Sequence, residues 1–116
     1  MRKAGLGITI LVALLLAASA IDKLSGSAHS LEMTASFGIP PATYRLLGAI
    51  ELASALLFLL PRTAVLGTLL LAAYLGGAIA THLQHQQGIA FPVALEAAVW
   101  LAAALRLPEL MKRLLR

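Results

Sequence analysis

Six side chains in this sequence have the types and placement to do chemistry: Lys23, Arg45, Glu51, Tyr74, His82 and Glu96. Glu51 is the only acid in the apolar run from Leu46 to Leu60, and Glu96 sits inside the last apolar run. If these runs are helices, Glu51 lies about 13 Å below the end of its run, at about 1.5 Å per residue. Tyr74, two helical turns before His82, and Glu96 fall at a similar depth. Three carboxyl or hydroxyl groups from three segments would then share one layer. Lys23, Arg45 and His82 would stand above it, with Asp22 in the same upper ring. Such a set could hydrogen-bond or exchange protons with a small amphipathic molecule in an apolar pocket. The same residues would serve equally as a buried cluster that fixes helix register.

A charged acid at membrane depth costs at least about 2.5 kcal/mol and normally faces a protein interior with partners. At least one of Glu51 and Glu96 is therefore expected to be protonated at neutral pH. An ionised Glu51 would need Lys23 or Arg45 as its counter-ion. His82 and His85 stand at i, i+3, compatible with one helical face, but no third metal ligand is near, so they read as polar residues at an interface. Trp100 is four residues from Glu96 and reads either as a pocket wall or as a lipid contact. No phosphate loop, Ser–His–Asp set or nucleic-acid motif is present, and the absence of cysteine excludes disulfides, thiol catalysis and thiolate metal sites. No catalytic residue, metal or certain cofactor is assigned.

The elements that must position these groups follow from composition. Of the 116 residues, 60% are hydrophobic and 12% charged, and mean hydropathy is +0.91. Soluble domains carry about 25% charged residues, so this chain has too little polar surface to face water all round. Four apolar runs predict a single four-span domain over 1–116, with spans at about 4–22, 42–60, 62–82 and 90–107. The expected fold is an all-α integral membrane protein, an antiparallel bundle of four transmembrane helices. The runs are continuous rather than alternating, which excludes a β-barrel. The first run follows Met1-Arg2-Lys3 and precedes Ala18-Ser19-Ala20, as in a secretory signal, but its length favours a retained span. Between the first two spans, Leu31, Met33, Ala35 and Phe37 recur at helical spacing ahead of Gly38. They predict a short amphipathic helix at the membrane interface, with a plain loop as the alternative. Pro41 suits the first turn of the second span, and Pro61 begins a tight turn into the third.

The net charge of +4 does not point to nucleic acid, because the basic residues flank apolar runs. Arg2, Lys3, Arg62, Arg106, Lys112, Arg113 and Arg116 fall on one side of a four-span arrangement, and only Lys23 and Arg45 on the other. The positive-inside rule then puts both termini in the cytoplasm. Small residues recur four apart at Ala72, Gly76 and Ala80, at Ala73, Gly77 and Thr81, and at Thr9, Ala13 and Ala17, with Gly48 and Ala55 beside Glu51. Such spacing allows close helix packing in lipid, either within one bundle or across a homodimer.

Several stretches resemble the DoxX-like family of small bacterial membrane proteins: Ile21-Asp-Lys23-Leu, Phe37-Gly-Ile-Pro, Leu47-Gly-Ala-Ile-Glu51-Leu, Pro61-Arg-Thr-Ala-Val-Leu-Gly67, Tyr74-Leu-Gly-Gly-Ala78 with Thr81-His82, and Phe91-Pro92. The resemblance covers nearly the whole chain. It implies a four-helix protein of the bacterial inner membrane, with Lys23, Glu51, Tyr74 and His82 among the characteristic polar positions. The name-giving member is associated with a thiosulfate:quinone oxidoreductase, and more distant relatives assist maturation or transport. Asp22 departs from the small neutral residue expected there, and cysteine-dependent redox relatives are no guide to this chain. Three functions are consistent with these readings. One is binding of a quinone or another lipid-like molecule in an outward-facing pocket, as an accessory to membrane redox chemistry. The second is a non-catalytic accessory or assembly subunit of a larger membrane complex. The third is a proton-coupled carrier working as an oligomer, with Glu51 and Glu96 as its proton sites.

Overall fold

The computed structural model describes residues 2–115. Met1, Arg116 and the side chain of Arg2, two of which entered the charge count, lie outside what is described. Every regular element is helical: α1 (Arg2–Ser25), α2 (Ala28–Phe37), α3 (Pro41–Leu59), a 3₁₀ turn (Pro61–Thr63), α4 (Ala64–Gln84), α5 (Ala90–Arg106) and α6 (Pro108–Leu114). The long helices pack in a ring in which α1 touches α3 and α5, and α4 touches α3 and α5.

Three segments, Lys3–Ser25, Pro41–Leu59 and Pro61–Gln84, are long and apolar enough to cross a bilayer. The fourth, α5, has 17 residues, about 26 Å of helix, and α6 turns away from it by 108°. The long helices lie over the apolar runs, with α1 and α4 reaching past 22 and 82 to Ser25 and Gln84. The first span continues past Asp22 and Lys23 to Ser25, because Lys23 turns its ammonium inward to a partner instead of ending the helix at water.

Helical spacing explains the core. On α3 the buried positions Tyr44, Gly48, Glu51, Ala55 and Phe58 alternate steps of four and three, the period that keeps one face toward a neighbour. Val12, Leu16, Phe58, Leu71, Leu75, Val99 and Ala102 form the packed centre. The buried stripe of α4 runs from Ala64 to Leu75 and then stops. Beyond Leu75 the helix lines open space instead of core.

Backbone contact is closest at two glycines. A Cβ at Gly67 would overlap the Phe58 backbone, so α3 and α4 can touch only without a side chain there. A Cβ at Gly48 would lie 2.8 Å from Lys23 Cβ and 3.1 Å from the Ala20 carbonyl, and its absence brings α1 against α3. The glycines expected to make such contacts on α4 do not: nothing stands within 4 Å of a Cβ built at Gly76 or Gly77. Their spacing resembles a packing motif, but they fall past the end of the buried stripe.

The short helix α2 forms as expected, with Ser27 as N-cap accepting from the Ser30 amide and Gly38 closing it in the left-handed region. Gly26 and Gly38, at φ 67° and 65°, bracket it. Of the four apolar positions at helical spacing, only Phe37 is fully buried. Ser30, Thr34 and Phe37 are buried, whereas Leu31 and Ala35 point outward.

Opposite this end, Arg106 ties three helices together. Its guanidinium donates to the Phe58 and Leu59 carbonyls, each at 2.9 Å, and to Thr9 Oγ1 at 3.2 Å. The two carbonyls belong to the last turn of α3, where no helical partner remains.

Candidate functional site

A cavity of about 760 Å³ fills the end of the bundle that carries α2, within the size range of small-molecule sites. Its walls are mostly apolar. Leu15 and Ala18 come from α1, Met33 and Phe37 from α2, Leu47 from α3, Ala73 and Gly77 from α4, and Phe91, Pro92 and Leu95 from α5. Four of the six expected residues, Lys23, Glu51, Tyr74 and His82, line it together.

The polar centre is built by helical spacing. Ser19 and Lys23 stand one turn apart on α1, and Lys23 Nζ donates to Ser19 Oγ at 2.7 Å. The bare surface of Gly48 lets the lysine stem lie close across α3. Its ammonium then reaches Glu51 Oε1 at 3.0 Å, with the two side chains 14% and 3% exposed. Ser19 donates to the same oxygen at 3.3 Å, and the Tyr44 ring lies 5.6 Å from Nζ on its other side. Tyr74 lies beside the carboxyl from α4. Lys23 is thus part of the central layer rather than of a ring above it. Glu51, one of the two acids among which a neutral carboxyl is expected, has a cation within hydrogen-bond distance, the arrangement of a buried ion pair.

Nearer the mouth, Asp22 accepts from Ser27 Oγ at 2.8 Å and meets His29 Nδ1 at 2.8 Å, which ties the start of α2 to α1. At its other end Phe37 packs edge-on against His82 and His85, with centroids 4.9 and 5.8 Å apart. The two histidines turn Nδ1 to the carbonyls of Ala78 and Thr81, bonds within α4 that serve no shared ion.

Two expected members lie elsewhere. Arg45 is exposed on α3 and does not line the cavity. Glu96 is half-buried outside it, where its carboxylate accepts from Trp100 Nε1 at 3.2 Å. Depth alone had grouped Glu96 with Glu51, but depth does not fix the direction in which a helical side chain points. Sequence reading missed Ser19, Tyr44 and His29. The i, i+4 spacing of Ser19 to Lys23, and the step from Tyr44 through Gly48 to Glu51, were the available signals.

All-helical architecture and three to four helices with membrane-spanning length and composition make this a helical membrane protein. No curated protein and no solved structure matches the chain. The family model of the DoxX-like family matches residues 7–105, and the chain belongs to that family.

Proposed function

We propose that this protein is a four-span antiparallel bundle, a single domain of the bacterial inner membrane, that binds a quinone or another lipid-like small molecule in its cavity as an accessory to membrane redox chemistry. The observation that carries this reading is the cavity itself: a mostly apolar chamber of about 760 Å³ with Lys23, Glu51 and Tyr74 together on its wall. An apolar tail would fill the chamber while the head meets the polar groups, the division of labour usual in small-molecule sites. Under the positive-inside assignment the cavity end faces outward and both termini are cytoplasmic.

The test is mass spectrometry of lipids retained through mild detergent purification, followed by thermal unfolding with added short-chain quinones and hydroquinones. A bound ligand at about 100 times its Kd adds about 2.7 kcal/mol of stability. Retention of a quinone, hydroquinone or isoprenoid lipid, together with a raised Tm, is expected. No retained lipid and no shift with any quinone or hydroquinone would remove the reading.

One observation favours a second reading, the accessory or assembly subunit. Gly76 is exposed with open space around it, and Ala72 and Ala80 continue the same ridge, a surface on which another membrane helix or a second copy can approach closely. Native mass spectrometry that recovers a stoichiometric partner would favour it over the ligand reading. The carrier reading has less support, since Glu96 bonds to Trp100 and nothing links it to Glu51.

A further inference from the structure

The side chains around the cavity have already committed most of their protons. Of the three that Lys23 carries, one goes to Ser19 and one to Glu51, and the ammonium also faces the Tyr44 ring. Ser19 passes its single proton to Glu51 Oε1, and Thr81 donates to the Gly77 carbonyl at 2.9 Å. His82 Nδ1 stands 2.6 Å from the Ala78 carbonyl. A carbonyl has no proton to give, so Nδ1 carries the hydrogen and the neutral ring keeps its lone pair on Nε2.

What remains for a ligand at Glu51 is lone pairs, with the Tyr44 hydroxyl an uncommitted group on the same wall. Both hydrogen bonds that Glu51 receives from Lys23 and Ser19 end on Oε1. Oε2 receives neither of them, and Glu51 lines the cavity. Tyr74 beside it can turn its hydroxyl either way, and the negative carboxylate favours the orientation that points the phenol proton at Glu51 and the lone pairs at a ligand.

We propose that the cavity selects a lipid-like molecule whose head donates a hydrogen bond, a chain ending in an alcohol, a phenol or a hydroquinone, over one whose head only accepts, such as a quinone carbonyl or an ether. This rests on the ligand reading above and narrows it. An acceptor-only head would set its oxygen against Oε2 with no proton between them, so that Oε2 gives up its water for nothing. A donor head replaces the water that Oε2 loses.

The experiment compares 4-nonylphenol with its methyl ether, which keeps the tail and the ring and removes only the donated proton. Binding to the full chain in detergent micelles is measured by calorimetry, and specific binding is the part lost in Gly77→Leu, which places a large side chain into the cavity wall. The phenol is expected to bind about 10- to 100-fold tighter, the range for a hydrogen bond to a charged group. Glu51→Gln, which can present an amide N–H₂ to the ligand, should shrink or reverse that ratio. Tyr74→Phe, which leaves Glu51 in place, should keep the phenol preferred. Equal binding of phenol and ether overturns the donor requirement while leaving the ligand reading standing. Specific binding of neither probe overturns both.

Discussion

The contact between Lys23 and Glu51 sets up an experiment on the charge state of the site. At 3.0 Å and an effective dielectric constant of about 20, the gross attraction of two unit charges is about 5 to 6 kcal/mol. Withdrawing each ion from water costs several kcal/mol, so the pair as a whole adds little net stability. Removal of one member alone is different, because the partner stays buried without compensation at a cost of roughly 3–5 kcal/mol. Glu51→Gln keeps an oxygen for Lys23 and Ser19 but loses the charge. Lys23 is 14% exposed and can turn partly toward the cavity, which puts the loss near the lower figure, about 3 kcal/mol. At about 4 °C per kcal/mol for a domain near this size, Tm in detergent should fall by about 12 °C. Adding Lys23→Met to Glu51→Gln removes the stranded cation and should recover most of that loss, giving a coupling of about 2–3 kcal/mol in the cycle. Thermal unfolding of the four proteins reads it out, with the carboxyl infrared band as an independent check. A Gln variant as stable as the parent, or a protonated-carboxyl band at pH 7 that is present in the parent and lost in Glu51→Gln, would mean that Glu51 is neutral and the ion-pair argument is wrong.

Gly67→Ala should cost at least about 1–3 kcal/mol, because the added methyl meets the Phe58 backbone. Gly76→Ala should leave stability unchanged or raise it by up to about 1 kcal/mol, and parallel detergent melts of the two variants check the contrast. Arg106→Met leaves the Phe58 and Leu59 carbonyls short of a donor and should destabilise by about 1–3 kcal/mol. Arg106→Lys should recover little of this, since an ammonium cannot fork across both carbonyls, and chemical denaturation of the two variants tests the point. Reporter fusions at the C-terminus and in the loop after Gln84 should report opposite sides of the membrane. A C-terminus outside the cytoplasm would overturn the orientation.

Much of the fold was legible because apolar runs and their proline and glycine boundaries are one-dimensional signals. The start at Pro41, the stop at Gly38 and the turn at Pro61 all follow from backbone chemistry that a sequence carries directly. Helix facing was less legible. Leu31 and Phe37 both read as apolar positions of α2, but only Phe37 turns inward, because in a chain whose surroundings are apolar a leucine gains as much outside as inside. Glycine spacing served at Gly48, which does meet Lys23 closely, and misled on α4, where Gly76 and Gly77 carry the packing pattern but the tight contact falls at Gly67, opposite Phe58. Within the site, Glu51 stands out as an acid in an apolar run. Ser19 does not, because its role depends on which way Lys23 turns.

Arg106 fastens the first, third and fifth helices at one end, while the opposite end holds a chamber closed partly by a ten-residue helix between two left-handed glycines. The bundle is therefore lopsided in its contacts, cross-tied at its foot and hollow at its rim. Small tilts of the helix ends about that foot would widen the rim without breaking the contacts among Val12, Phe58, Leu71 and Val99. On the proposed ligand reading, such tilts are the route by which a bulky tail would enter sideways between helices from the surrounding lipid.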